Sequence, residues 1–278
     1  MSQRIPVAIL AASGSVGQRF VQLLADHPWF EVAALTASDR SVGKTFAEAC
    51  HWILPTPMPS SLRDMRLLPT DPSAVSVPLV FTALPTDAAR TMEPQLARAG
   101  VFVCSNASAH RMAQDVPILL PEVNPDHLNI LPIQQANHGW AGGILTNSNC
   151  TSTGMTVSLK PLQDAFGILR VFAVSLQAVS GAGYPGVASL DIMDNILPHI
   201  SGEEEKVETE PLKMLGHFDG SAIHHAGFTI SAHTNRVAVH DGHIVCLSVE
   251  LGTPATPRQV EEALTSYQAP LESRDLPS

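Results

Sequence analysis

Ile5 to Leu10 is a short apolar run, and the seven residues that follow it, Ala11-Ala12-Ser13-Gly14-Ser15-Val16-Gly17, are small or β-branched. Gln18 to Ala25 then repeats apolar residues at helical spacing. Strand, tight turn and helix in this order open a doubly wound α/β sheet. Small residues at such a turn let the main chain approach a phosphate, and the unpaired N–H groups of the helix start favour an anion. Ser13, Gly14, Ser15 and Val16 are therefore candidate phosphate contacts. The competing reading is a helix packed closely on a strand with no nucleotide. A full fingerprint carries a further glycine where Ala11 stands.

The rest of the first half keeps the alternation. Val32–Thr36, Val77–Leu84 and Val101–Cys104 read as strands, and Thr86–Ala99 reads as a helix. This predicts a parallel Rossmann-type sheet over residues 1–149. Residues 55–78, rich in Pro and Ser, are expected to be a surface excursion. Beyond Ile144–Thr146 the pattern changes. Thr151–Phe166 looks helical despite Gly154 and Pro161, and Leu169–Val179 is a long strand-like run. Helices are expected near 187–197, 203–215 and 256–268. Strands are expected at Gly227–Ala232, Arg236–Val239 and His243–Leu251, the last two joined by Asp241-Gly242 as a hairpin. Residues 150–278 are thus read as an α+β domain, the second of two.

Lys plus Arg number 16 against 26 Asp plus Glu, a net charge of -10. That argues against general nucleic-acid binding, which needs a basic surface. No apolar run is long enough for a membrane helix, and the start lacks a signal-peptide pattern. Four widely spaced cysteines without CxxC fit free thiols in a reducing, cytoplasmic setting.

Ser38, Arg40, Ser41 and Lys44 follow the second strand, where cations and hydroxyls suit a 2′-phosphate; NADP is the expected cofactor over NAD. Cys150 opens a predicted helix, whose N-terminus stabilises thiolate and can lower a cysteine pKa. It is either a nucleophile or a buried structural thiol, and spacing does not separate the two. His243, beside the Asp241-Gly242 turn, could shuttle a proton for such a thiol. Glu203 and Lys206 share one helix face at i,i+3, either as a solvated helix start or turned to a site. Arg111 could hold an anion or be an ordinary surface arginine. His217, His224, His225 and His233 match no metal-ligand spacing, so no metal is expected.

Taken together, ASGSVGQRF, ASDRSVGK, SNASAHRM, PEVNPDHL, SNCTSTG, LQAVSGAGYPG, GEEEKVETE and TNRVAVHDGH resemble aspartate-β-semialdehyde dehydrogenase, in the branch found in archaea, fungi and some bacteria. The resemblance implies NADPH-dependent reductive dephosphorylation of L-aspartyl-4-phosphate, a step feeding lysine, methionine, threonine and isoleucine synthesis. It implies Cys150 as nucleophile, His243 as acid/base, Gln177 orienting the thioester and Asn149 positioning its oxygen. Arg236 would pair with the substrate α-carboxylate and Glu203 with its amino group. Arg111 and Lys206 would bind phosphate, and Gly183 would join the cofactor contacts. Related enzymes on the scaffold are N-acetyl-γ-glutamyl-phosphate reductase and malonyl-CoA reductase, the latter being the nearer alternative; a non-catalytic NADP-binding relative is another. The resemblance also implies a homodimer or homotetramer. Relatives continue for several dozen residues past Ser278, so exposed apolar surface is expected where that part would pack.

Overall fold

The computed structural model describes residues 4–277. The chain divides into two compact units. Among the described residues the first comprises 4–117, 130–147 and 277, and the second comprises 118–129 and 148–276.

The first unit is built on a six-stranded sheet. Its strands are β1 (Ile5–Leu10), β2 (Phe30–Ala37), β3 (Leu67–Pro69), β4 (Leu79–Thr82), β5 (Phe102–Ser105) and β6 (Gly143–Thr146). Their order is β3-β2-β1-β4-β5-β6, and every pairing is parallel. The expected doubly wound sheet is therefore present. Alternate residues of β1 serve opposite faces. Val7 and Ile9 pack with Val21, Leu24, Leu35 and Phe46, while Ala8 and Leu10 pack with Val80, Leu96, Val103 and Ile144. A strand buried on both faces reads as a continuous apolar run, as β1 does. Helices α1 (Ser15–Leu24), α2 (Phe46–Ala49), α3 (Thr86–Arg98) and α4 (Leu131–His138) complete the crossovers. The excursion at 55–78 contains more than surface loop: Leu67–Pro69 pairs with β2 as the sheet edge. Three residues ending in proline are too short for period-based reading, and an edge is where strand proline is tolerated.

In the second unit α5 (Cys150–Phe166) runs unbroken through Gly154 and Pro161. Met155, Leu159 and Leu162 bury one side against β7 (Ile168–Gln177), so packing outweighs the two poor helix formers. The remaining elements are α6 (Ser189–Ile192), β8 (Ile196–Leu197), α7 (Glu203–Met214), β9 (His217–Phe218), β10 (Ile223–His224), β11 (Thr229–Val237), β12 (Ile244–Leu251), α8 (Pro257–Ser266) and α9 (Leu271–Arg274). The helix expected at 187–197 is only the single turn of α6.

The expected hairpin across Asp241-Gly242 is corrected. β11 and β12 do not pair with each other. The sheet order is β12-β7-β11-β8, with β11 parallel and β12 antiparallel to β7. The two strands expected within 227–239 are one, β11. Gly242 does take a turn conformation, φ +90°, but the segment around it carries the chain past the end of β7. From Arg170 onward β7 alternates more exposed and buried residues, as a strand with one covered face should. Phe172, 56% exposed, lies on the open face with Val174 and Ile244. No described helix is long and apolar enough to cross a membrane.

Candidate active site

Two strand–turn–helix junctions, β1 to α1 and β6 to α5, carry Ser13, Gly14, Ser15, Val16, Asn149 and Cys150. In the first unit, β1 leads into Ala11, whose φ is +57°. The Gly14 N–H donates to the Ala11 carbonyl (3.1 Å) and the Ala12 N–H to Thr36 (3.0 Å). Gly14 caps α1 without any side-chain hydrogen bond, so the first turn of N–H groups is left uncovered by side chains. Gly17 is needed for a different reason: a Cβ there would fall 2.2 Å from the Ala11 carbonyl oxygen. Ser13 and Ser15 are half-buried, while Gly14 and Val16 are exposed. At the end of β2, Ser38, Arg40 and Lys44 are exposed and Ser41 is half-buried. Asp39, an acid beside these cations, is exposed in the same turn. The ninth candidate cofactor contact, Gly183, belongs to the second unit and has φ +71°. An uncapped helix start, a close-packed glycine and two exposed cations fit a phosphorylated dinucleotide.

Arg111 also lies in the first unit. It is buried, and its Nη2 donates to the Asn106 carbonyl at 2.8 Å. The same unit holds the fully buried Glu93, whose Oε1 accepts from the Thr82 and Ser105 hydroxyls. Burial raises this carboxyl above its ordinary value, against those hydroxyls and His110, 3.7 Å away.

The second unit gathers the rest. Cys150 is the first residue of α5, and Asn149 caps it: Asn149 Oδ1 accepts from the N–H groups of Thr151 (3.0 Å) and Ser152 (3.2 Å). Asn149 is itself gripped twice by α7. Its Nδ2 donates to Glu203 Oε2 at 2.7 Å and its main-chain N–H to Glu210 Oε2 at 2.6 Å. Glu203 also receives Lys206 Nζ at 2.7 Å. Burial alone would raise the Glu203 carboxyl; Lys206, Asn149 and Arg236 outweigh it and hold it below its ordinary value.

Cys150 Sγ lies 3.2 Å from His243 Nε2. The expected lowering of the thiol is corrected. Desolvation first and the Glu203 carboxylate second raise it, and the hydrogen bonds around Thr151 only partly compensate. A carboxylate one residue contact away opposes what the helix N-terminus offers. His243 is held below its ordinary basicity by burial and then by Arg236. Both shifts favour the uncharged thiol and the uncharged imidazole.

Gln177 and Arg236 face each other in the β7–β11 register. Arg236 is buried and its Nη1 donates to the Ala178 carbonyl at 2.8 Å. Gln177 is fully buried, with Nε2 on Ser175 Oγ (3.2 Å) and no hydrogen-bond partner for Oε1. Leaving such an oxygen unpaired costs about 1–3 kcal/mol. Sequence reasoning missed two contributors. Glu210 stands seven residues after Glu203, on the same helix face, a spacing that could have found it. Gly181 has no Cβ because one would lie 2.7 Å from Arg236 Nη1. Among the described residues no group of three or more potential metal ligands occurs.

A family model described as "Semialdehyde dehydrogenase, NAD binding domain" matches residues 6–131, and "Semialdehyde dehydrogenase, dimerisation domain" matches residues 159–277. The chain is 49% identical over 275 residues to an aspartate-semialdehyde dehydrogenase of Archaeoglobus fulgidus, covering 99% of this chain and 79% of that protein. It is 46% identical to the Schizosaccharomyces pombe enzyme of that name, covering 94% of this chain and 75% of that one. The crystal structure of the Candida albicans enzyme with NADP superposes with a TM-score of 0.87 at 36% identity, covering 96% of this chain and 77% of that one. With both family models matched in order and identity near one half over almost its whole length, the chain belongs to the aspartate-semialdehyde dehydrogenase family of oxidoreductases.

Proposed function

We propose that this protein catalyses the NADPH-dependent reductive dephosphorylation of L-aspartyl-4-phosphate to aspartate-4-semialdehyde through a thioacyl intermediate on Cys150. The observation that carries the reading is the Cys150 Sγ–His243 Nε2 contact of 3.2 Å at the capped start of α5. The sulfur attacks the acyl carbon, the carbon–oxygen bond to phosphate breaks, and inorganic phosphate leaves. NADPH, when bound, supplies the hydride that reduces the thioester. His243 manages the proton when the aldehyde leaves. Arg236 grips the substrate α-carboxylate, as a guanidinium can in bidentate fashion, and Glu203, kept ionised by Lys206, takes the amino group. Gln177 and Asn149 orient the thioester. Lys206 and Arg111 receive the phosphate. Residues 13–16, Ser38, Arg40, Ser41, Lys44 and Gly183 are the proposed NADP contacts, with residues 1–149 as the cofactor domain and 150–278 as the catalytic one.

The open face of the β12-β7-β11 sheet, with Phe172, Val174 and Ile244 exposed, is the proposed contact with a second copy. Support comes from the dimerisation-domain match over 159–277.

The test is NADP reduction by aspartate-4-semialdehyde and phosphate, beside a Cys150→Ala control. Phosphate-dependent turnover that vanishes in the control is the expected result. No turnover from a folded chain would overturn the reading.

A further inference from the structure

Glu93 is a buried ionisable group that the proposed reaction does not use. It lies on α3 and is fully buried, where a carboxyl group is rarely found. Its Oε1 accepts two hydroxyl groups, that of Thr82 and, at 2.7 Å, that of Ser105. Thr82 and Ser105 are the last residues of β4 and β5 and are partners in the parallel register. One oxygen therefore joins the ends of two neighbouring strands. Oε2 has no hydrogen-bond partner among the described residues and lies 3.7 Å from His110 Nε2.

The Ser105 hydroxyl passes this contact on. It has a single hydrogen, which goes to Glu93, so a lone pair is left facing the Ala107 N–H, 3.1 Å away. Between them, the Asn106 N–H donates to the Thr82 carbonyl at 3.0 Å. The Asn106 carbonyl in turn accepts Arg111 Nη2 at 2.8 Å, and the Arg111 N–H donates to the Ser108 carbonyl at 3.3 Å. The path runs from carboxyl to hydroxyl to main chain to guanidinium, every step within the first unit. It does not depend on charge, because a carboxylic acid with its hydrogen on Oε2 still accepts at Oε1. An apolar side chain at position 93 would instead free the Ser105 hydroxyl to turn its hydrogen elsewhere.

We propose that Glu93 is a positioning residue for phosphate: through the Ser105 hydroxyl it fixes the turn of residues 106–111, and with it the direction of the Arg111 guanidinium. Direction matters because a guanidinium recognises phosphate through paired N–H bonds as well as charge. Glu93 acts through Ser105 and not on the substrate. Its effect on phosphate rests on the proposed function, in which Arg111 is a phosphate cation; the relay from Glu93 to Ala107 does not.

The test measures kcat and the KM values for inorganic phosphate and NADP in semialdehyde oxidation by the full chain. Glu93→Met, of similar length and apolar, should raise the phosphate KM about tenfold, the worth of one hydrogen bond, with kcat and the NADP KM near those of the wild type. Glu93→Gln, whose amide oxygen can accept the same two hydroxyls, should restore the phosphate KM. Ser105→Ala cuts the relay without touching α3 and should reproduce the rise, so the test survives if Glu93→Met does not fold. The double variant should be no worse than either single one. Phosphate and NADP KM values that rise together, a Gln variant as poor as Met, or effects that multiply would overturn the proposal. Arg111→Lys tests the reading beneath it. If that change leaves the phosphate KM unaltered, Arg111 is not the phosphate cation and both readings fall; if it raises the KM while Glu93→Met and Ser105→Ala do not, only the proposal falls. Amide hydrogen exchange gives a readout without turnover: the Ala107 N–H should exchange about tenfold faster in Glu93→Met and at the wild-type rate in Glu93→Gln. Unchanged exchange in Glu93→Met would overturn the relay. A chain without turnover would refute the proposed function, and Ala107 exchange would still decide the relay.

Discussion

The starts of α1 and α5 are built from the same local plan and finished in opposite ways. Both follow a parallel strand of one sheet, β1 and β6. At α1 the capping residue is Gly14, and no side chain covers the first N–H groups. At α5 the capping residue is Asn149, whose side chain takes two of those groups and is in turn held by Glu203 and Glu210. An open helix start is suited to an anion that comes and goes. A closed one fixes the direction of a side chain that stays, here Cys150. The price of the second design is a thiol raised by desolvation and then by the carboxylate that secures its cap.

That contrast can be broken by substitution. The largest effect is expected at the closed start: Cys150→Ala should lower turnover more than about a thousandfold while leaving the cap and the fold intact. Substantial residual phosphate-dependent turnover would mean that the chemistry lies elsewhere. Next comes close packing at the open start. Gly17→Ala puts a methyl 2.2 Å from the Ala11 carbonyl and should cost about 3 kcal/mol in chemical denaturation, with weaker NADP binding. Gly154→Ala, inside α5 with no atom within 4 Å of the new Cβ, should instead stabilise by about 1 kcal/mol. Equal effects at the two glycines would contradict the packing described. Asn149→Ala should cost about 2 kcal/mol, from the lost cap and a donor lost to Glu203. The mirror change at the open start, Ala11→Gly, should gain about 1 kcal/mol by relieving a left-handed alanine.

The smallest effects concern pH, and the two units should respond with opposite signs. Folded Glu203 titrates below the ordinary value of 4.5, so its contribution is present above that pH and lost as pH falls through the depressed value. Folded Glu93 titrates above it, so it costs stability at neutral pH and stops doing so as pH falls below 4.5. Glu93→Gln should therefore raise stability at neutral pH and Glu203→Gln should lower it. Denaturation midpoints across acidic pH that move in the same direction for both variants would show the carboxylates to be in similar surroundings.

Much of the candidate site was legible because it is local. Cys150 was recognisable at a helix start because capping and apolar periodicity are written within a few residues of it. Glu203 and Lys206 were placed on one helix face by their spacing. The direction of the thiol shift was not legible, because it depends on burial first and then on Glu203, more than fifty positions away. The Asp241-Gly242 pair marked a real turn, yet it could not tell which strands the turn would join. β3 escaped notice since three residues carry no period.

The amino-acid sequence by itself determined the alternation of strands and helices in the first unit, the extent of α5, and which residue types stand ready for chemistry. These follow from side-chain periodicity and from the unpaired N–H groups of helix ends, both set by near neighbours. Only the tertiary structure decided that β7 lies between β11 and β12, that α7 holds Asn149 at two atoms, and that Ala178 faces His243 Nδ1. The reason is physical: strand order and buried polar contacts are settled by pairing between distant segments, where burial makes each unmatched donor or acceptor costly.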